Sequence, residues 1–218
     1  MNTKKIEVAP SILSADFRNL ESEVKAVQDA GADRIHCDVM DGHFVPNLTF
    51  GPIVVEAVKK CVSIPLDVHL MMYHPEKYVN QFCDAGADIL MVHAEACEDL
   101  SAVLDSIKKR GIKSGVAVNP DKPIDLFLPF LDKIDQILIM SVYAGFGGQK
   151  FIPETIEKVK QVAESVAEKY THIDIEVDGG INNDTAKICI ASGVNVLVAG
   201  SYIFGATDYK ERVSAIRK

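Results

Sequence analysis

Four glycines divide this chain of 218 residues into units of nearly constant length. Gly31, Gly86, Gly111 and Gly193 each follow a segment with helical periodicity and precede a short apolar run. Glycine in that position indicates the left-handed residue that ends a helix. The intervals are 55, 25 and 82 residues. They correspond to two, one and three units of about 27 residues, enough for a strand, a helix and two short loops.

The apolar runs are short and rich in β-branched residues, which is typical of buried parallel strands. They predict strands at 6–11, 34–38, 66–70, 89–93, 113–118, 136–141, 174–178 and 196–199. Helical patterns lie between them, for example at 19–30 and 153–169. Eight βα units favour a single closed (β/α)8 barrel, a TIM barrel, spanning residues 1–218. An eight-stranded doubly wound sheet is the alternative architecture.

Charge and composition exclude several classes of protein. The formal net charge is −8, so the overall field repels nucleic acid and anionic lipid, and we expect neither as a partner. No apolar stretch is long enough to span a bilayer, and Glu7 and Pro10 interrupt any signal-peptide core. The five cysteines include no Cys-x-x-Cys pair. They indicate buried thiols in a reducing cytoplasm.

The ends of the predicted strands are unusually polar, and in such a barrel the chemistry lies at these carboxyl ends. Strand periodicity puts His36, Asp38 and Met40 on one face, and His69 and Met71 on one face of the next strand. Two histidines and two aspartates at strand ends could converge on one divalent cation, with zinc, iron, manganese and cobalt all acceptable. The alternative is that each histidine is an ordinary hydrogen-bonded core residue.

Glycine clusters follow the last three strands. They are Gly145-Phe146-Gly147-Gly148, the Gly179-Gly180 pair after Asp178, and Gly200 before Ser201. Glycine lets the backbone approach an anion closely, and the loops after the last strands of a barrel often bind phosphate. The clusters therefore predict a phosphate site that needs no lysine or arginine. Met40, Met71 and Met140 end three strands, either as core residues or as an apolar lining of the site.

Five segments together resemble the ribulose-phosphate 3-epimerase family, over about residues 6–205. They read APSILSAD at 9–16, HCDVMDGHFVPNLTFG at 36–51, LDVHLM at 66–71, GFGGQ at 145–149 and EVDGGI at 176–181. The resemblance implies a ribulose-phosphate binding barrel, and an isomerase that interconverts D-ribulose 5-phosphate and D-xylulose 5-phosphate in the pentose phosphate pathway.

The resemblance also implies roles for individual residues. Asp38 and Asp178 are similar to the family's acid–base pair, acting at carbon 3 through an enediolate. With His36 and His69 they are similar to the ligands of one divalent cation, which would stabilise that enediolate. The residues similar to the family's substrate contacts are Ser11, His69, Gly145, Phe146, Gly147, Gly148, Asp178, Gly179, Gly180, Gly200, Ser201, Met40, Met71 and Met140.

One position departs from the family pattern. Tyr143-Ala144 stands where members typically have a small or polar residue and then proline. The lost proline predicts a looser loop, with Tyr143 either adding bulk beside it or packing outside the pocket.

Other functions are also compatible with these motifs. The alternatives are an allulose-6-phosphate 3-epimerase, a sugar-phosphate lyase or synthase, and a non-catalytic barrel that binds a sugar phosphate. The substrate expected is a ketose phosphate, and family members resemble dimers and hexamers, so a homo-oligomer is expected.

Overall fold

The computed structural model describes residues 4–218, which form eight strands and eight α-helices. The strands are β1 Glu7–Pro10, β2 Ile35–Met40, β3 Leu66–Met71, β4 Ile89–His93, β5 Lys113–Val118, β6 Gln136–Met140, β7 Asp174–Asp178 and β8 Val196–Ala199. The helices are α1 Leu20–Asp29, α2 Pro52–Cys61, α3 Val79–Asp84, α4 Leu100–Lys109, α5 Thr155–Val166, α6 Asn183–Ala191, α7 Ser201–Phe204 and α8 Tyr209–Ala215.

All eight strands are parallel and belong to one sheet. Each of β2 to β7 pairs with the next strand in the chain, and β8 returns to pair with β1. A parallel bridge between Ser11 and His36 joins the β1 side to β2, and Asp33 N–H donates to Val8 O at 2.9 Å. The sheet is therefore closed as a (β/α)8 barrel, and the doubly wound alternative was wrong.

The glycines that defined the repeat have the predicted conformation. Gly31, Gly86, Gly111 and Gly193 follow α1, α3, α4 and α6, with φ angles of 94°, 98°, 75° and 111°. A residue with a Cβ is strained at such angles, which explains why glycine ends these helices.

The connection from β5 to β6 differs from the expected strand-and-helix unit. It contains two 3-10 segments, Ile124–Leu126 and Leu128–Lys133, in place of an α-helix. Pro120, Pro123 and Pro129 lie in this connection. Proline lacks the backbone donor that a continuous α-helix requires, so the connection folds into shorter turns.

The strands separate two kinds of interior. Side chains that face outward, such as Cys37 and Val39 of β2, pack with Val24 and Val27 of α1 in the main hydrophobic core. Burying each of these valines contributes about 1.5–3 kcal/mol relative to exposure. The alternate side chains of β2 fill the barrel, and these include His36 and Asp38, both buried.

The five cysteines are all free. No helix in residues 4–218 is sufficiently long and apolar to cross a membrane.

Candidate active site

Strand register brings the predicted polar side chains together at the carboxyl end of the barrel. Asp38 of β2 lies opposite His69 of β3, and Met40 lies opposite Met71 in the same pair of strands. On the other side of the barrel, Asp178 of β7 lies opposite Met140 of β6. Parallel strands in register place corresponding residues at one level, so these side chains form one layer of the barrel mouth.

The four residues predicted as metal ligands form one cluster. One donor atom from each of His36, Asp38, His69 and Asp178 lies within 4.8 Å of the others. His36 Nε2 is 3.3 Å and His69 Nδ1 is 3.1 Å from Asp38 Oδ1. Both histidines are completely buried.

The donor set of this cluster fits a divalent cation. Among the described residues, neither ring nitrogen of His36 has a hydrogen-bond partner, although the side chain is fully buried. An orphaned buried polar atom costs about 1–3 kcal/mol, and a ligand or ion would satisfy it. Two imidazoles and two carboxylates are ligands that suit zinc, iron, manganese and cobalt. The cluster is therefore chemically suited to the predicted metal.

The two aspartates of the cluster differ in acidity. Burial raises the pKa of Asp38, but the positive charge of His36 and the hydrogen bond of His69 outweigh burial and hold it well below its usual range. Burial and the negative charge of Asp38 raise the pKa of Asp178 to about 7. In this arrangement Asp38 is ionised near neutral pH, whereas Asp178 gains and loses its proton in that range. Such a divergence is typical of acid–base pairs.

Ser11 fixes the orientation of the more acidic group. Its hydroxyl donates to Asp38 Oδ2 at 2.5 Å, and both side chains are buried. The two oxygens of Asp38 thus have separate neighbours, since Oδ1 faces the two histidines.

A single cavity at the barrel mouth collects most of the predicted substrate contacts. His36 and His69 do not line it and lie buried behind it. Residues that the sequence analysis did not single out also line this cavity, namely Leu13, Ser14, Val142, Gln149, Ile181 and Val198. The predicted residues that line it are Ser11, Asp38, Met40, Met71, Met140, Gly145, Phe146, Gly147, Gly148, Asp178, Gly179, Gly180, Gly200 and Ser201.

Close packing explains the glycine pair after β7. Gly179 and Gly180 have φ angles of 125° and 64°. A Cβ on Gly179 would lie 2.8 Å from the backbone nitrogen of Val142, and one on Gly180 would lie 2.5 Å from that of Phe151. Only glycine fits both the backbone conformation and the space. The backbone is therefore left uncovered where it lines the cavity.

Side-chain hydrogen bonds restrain the segment 143–149, which we call the glycine loop. Gln149 Nε2 donates to Tyr143 O at 2.7 Å and to Phe146 O at 2.8 Å. Asn47 Nδ2 donates to Gly145 O at 2.7 Å. Tyr143, more than half exposed, lies on the rim of the cavity rather than outside it.

A chain of polar residues lies behind His69, and its last member, Asn119, is one that sequence reasoning missed. His69 Nε2 lies 2.9 Å from His93 Nε2, and His93 Nδ1 lies 3.1 Å from Glu95 Oε1. Burial raises the pKa of Glu95, but the hydrogen bond and charge of His93 outweigh it and lower the pKa to about 2. Asn119, directly after β5, donates to this carboxylate. Asn119 could have been found from its position at the end of a predicted strand, the same feature that identified Asp38.

A second polar layer lies below the cluster, at the floor of the barrel. Arg34 Nη1 lies 3.6 Å from Asp67 Oδ2, and Gln136 Nε2 donates to Asp67 at 3.0 Å and to Glu176 at 2.6 Å. Although donor atoms of His36, Asp67 and Glu176 also lie within 4.8 Å of one another, the guanidinium of Arg34 already supplies positive charge there. This layer is a salt-bridge network beneath the site.

Comparison with known proteins identifies the family. Residues 7–204 match the model of the ribulose-phosphate 3 epimerase family. Ribulose-phosphate 3-epimerase from Bacillus subtilis is 52% identical over 213 residues, which cover 97% of this chain and 98% of the relative. The protein of the same name from Synechocystis is 48% identical over 217 residues, covering 99% of this chain and 94% of the relative.

Solved structures of other enzymes share the fold at low sequence identity. KGPDC from Streptococcus mutans superposes with a TM-score of 0.75 at 16% identity, covering 98% of this chain and 96% of that one. A 3-hexulose-6-phosphate synthase has a TM-score of 0.66 at 17% identity, covering 98% of each chain. These likenesses establish the barrel architecture, whereas the family match and the close relatives assign the protein: the chain belongs to the ribulose-phosphate 3-epimerase family and is an isomerase.

Proposed function

We propose that this protein interconverts D-ribulose 5-phosphate and D-xylulose 5-phosphate by inverting carbon 3, with Asp38 and Asp178 as the acid–base pair. The observation that carries the proposal is that these two carboxyl groups line one cavity, lie within 4.8 Å of each other, and have pKa values shifted in opposite directions. The names of the close relatives support this substrate.

Inversion next to a ketone requires one group to remove the carbon-bound proton and a second to return a proton on the opposite face. Asp38 enters the cavity from β2 and Asp178 from β7, and β1 and β8 lie between those strands. The ionised Asp38, held by the Ser11 hydroxyl, accepts the proton in one direction. Asp178, with its raised pKa, donates one, and the roles exchange in the reverse reaction.

We further propose that His36, Asp38, His69 and Asp178 hold one divalent cation. The orphaned ring nitrogens of His36 support this assignment. When bound, the cation supplies the positive charge that stabilises the enediolate between the two proton transfers. The two carboxylates that move protons would also be ligands of the cation. Proton transfer and cation binding would therefore depend on one layer of residues.

The glycine loop and the Gly179-Gly180 pair bind the phosphate in this proposal. They line the same cavity as the aspartates, and their backbone N–H groups can contact an anion without a neighbouring cationic side chain. This arrangement reconciles a phosphorylated substrate with a net charge of −8.

The three methionines Met40, Met71 and Met140 line the same cavity as the aspartates, and each is almost completely buried. Their thioethers offer no acidic proton to the carbanionic intermediate. They therefore protect it from quenching while the second proton is delivered.

Activity on paired substrates tests the proposal. The purified protein is assayed with D-ribulose 5-phosphate and with the six-carbon allulose 6-phosphate, and products are resolved by chromatography. We expect xylulose 5-phosphate from the first and a kcat/KM at least about tenfold lower for the second, as one extra carbon in a fitted pocket costs about 1–3 kcal/mol. A preference for the six-carbon sugar would overturn the substrate assignment.

A further inference from the structure

One backbone N–H of the glycine loop is held by a side chain from a different βα unit. Ala144 N–H donates to Asn119 Oδ1 at 3.0 Å. Ala144 directly precedes Gly145, whose φ of 130° is accessible to glycine and strained for other residues. Since glycine is the most flexible residue, a loop with three glycines in four positions needs an external restraint to keep one conformation.

The amide of Asn119 is itself firmly anchored. Its Nδ2 and its backbone N–H donate to Glu95 Oε1 at 2.9 and 3.0 Å. Glu95 in turn contacts His93, and His93 contacts His69, at 3.1 and 2.9 Å. The hydrogen-bonded chain therefore runs from a proposed metal ligand to the glycine loop.

The backbone around Asn119 is also held by hydrogen bonds from a helix outside the barrel. Lys158 Nζ, from α5, donates to the carbonyl oxygens of Asn119 and Pro120, each at 2.9 Å. The side chain of Lys158 is partly buried, and burial lowers the pKa of its amine. The acceptor for Ala144 therefore sits on a segment that is fixed on two sides.

We propose that Asn119 is the positioning residue of the glycine loop, holding Ala144 N–H so that the loop keeps the backbone conformation that receives the substrate's phosphate. The inference rests on the proposed role of this loop in binding phosphate. Asn119 contacts the loop and not the reacting carbon, so its effect is on affinity.

A double-mutant cycle tests this role, because proline at position 144 has no N–H to donate. Asn119→Ala is introduced into three backgrounds. They are the wild-type protein, Ala144→Gly, which keeps the backbone N–H donor at position 144, and Ala144→Pro, which removes that donor. We expect Asn119→Ala to raise KM for D-ribulose 5-phosphate about fivefold to tenfold wherever the donor is present, the loss of one hydrogen bond. In Ala144→Pro we expect no further rise from Asn119→Ala, and Asn119→Ala itself should change kcat little because it weakens substrate binding rather than the chemical step.

Amide hydrogen exchange gives a second measurement that does not depend on binding. Asn119→Ala should increase the exchange rate of the peptide covering residues 143–149, while Asn80→Ala, an exposed asparagine on α3, leaves both the exchange and KM unchanged. Thermal unfolding checks that each variant folds.

The outcomes separate this inference from the proposed function. An equal rise in KM in all three backgrounds, or unchanged KM and exchange in Asn119→Ala, would overturn the role of Asn119 while the epimerase assignment stands. Wild-type protein without activity on D-ribulose 5-phosphate would instead overturn the proposed substrate, and unchanged loop exchange in Asn119→Ala would still decide against the positioning role.

Discussion

Asp38 and Asp178 lie within 4.8 Å of each other on the wall of one cavity, yet their pKa values are displaced in opposite directions. The difference follows from their neighbours. Asp38 is surrounded by two imidazoles and a hydroxyl donor, whereas Asp178 experiences mainly burial and the charge of Asp38. Two aspartates with identical surroundings would have equal pKa values, so neither would be favoured as the acid or as the base. In the metal-free protein this asymmetry leaves Asp38 ionised and lets Asp178 gain or lose a proton near neutral pH.

Replacing either aspartate should abolish epimerisation without unfolding the barrel. Asp38→Asn and Asp178→Asn each remove one proton-transfer group, and we expect kcat to fall by at least about 10²–10⁴-fold. A coupled assay for xylulose 5-phosphate measures the rate, and circular dichroism measures folding. Asp132→Asn, at an exposed position, is the matched control. More than about a tenth of wild-type kcat in either site variant would contradict the assignment.

Proton binding by Asp178 should appear in the stability of the metal-free protein. Its pKa rises from 3.8 to about 7 on folding. The folded state therefore binds the proton more tightly, and the stability associated with this group is complete below about pH 4 and is lost as pH rises through about 7. Asp178→Asn removes that loss, so the metal-free variant should exceed wild type by up to about 4 kcal/mol at pH 8.

Urea unfolding in the presence of a chelator, at pH 4 and at pH 8, measures this difference. The advantage of Asp178→Asn should be much smaller at pH 4, where wild-type Asp178 is protonated in the folded state and partly protonated in the unfolded state. An equal advantage at both pH values would assign the effect to packing rather than to ionisation.

Metal binding should depend on the buried histidine that lacks hydrogen-bond partners. We expect His36→Ala to lower the affinity for Zn²⁺, Mn²⁺ or Co²⁺ at least about 100-fold, since a structural or catalytic ion loses one of four protein ligands. A competition titration with a chromophoric chelator measures the affinity, with His172→Ala, exposed and far from the site, as control. Full activity after complete metal removal would exclude the cation from the reaction.

The floor of the barrel should contribute to stability through Arg34. Arg34→Met leaves Asp67 and Glu176 buried with their main positive partner removed, and breaking such a buried network costs about 3–5 kcal/mol. Arg18→Met, which removes an exposed arginine from its salt bridge with Asp16, should change stability by less than about 1 kcal/mol. Denaturant unfolding at pH 7 compares the two variants. Equal effects would contradict the importance of the buried network.

The architecture could be predicted closely because its main determinants are local. Glycines at helix ends and β-branched runs located all eight strands to within two residues at each end. Strand periodicity also placed His36 and Asp38 on the inward face. The connection after β5 was not anticipated, since its prolines disrupt the helix that the repeat implied.

Contacts between distant segments could not be predicted in the same way. The bond from Ala144 to Asn119 joins residues 25 positions apart, and the bond from Arg34 to Gln136 joins residues 102 apart. Neither pairing leaves a periodic signal in the sequence. The prediction of a looser loop without proline took no account of Asn119. The position of Asn119 relative to the loop depends on closure of the barrel, which the local sequence does not show.

The most direct test of the two-base account is hydrogen exchange at carbon 3 in deuterated water, followed by NMR. We expect wild type to place solvent deuterium at carbon 3 of both epimers. Each of Asp38→Asn and Asp178→Asn retains one base, so each should exchange only one epimer, without interconversion, and the two variants should differ in which epimer they exchange. Exchange of the same epimer by both variants, or epimerisation by either at the wild-type rate, would contradict the account.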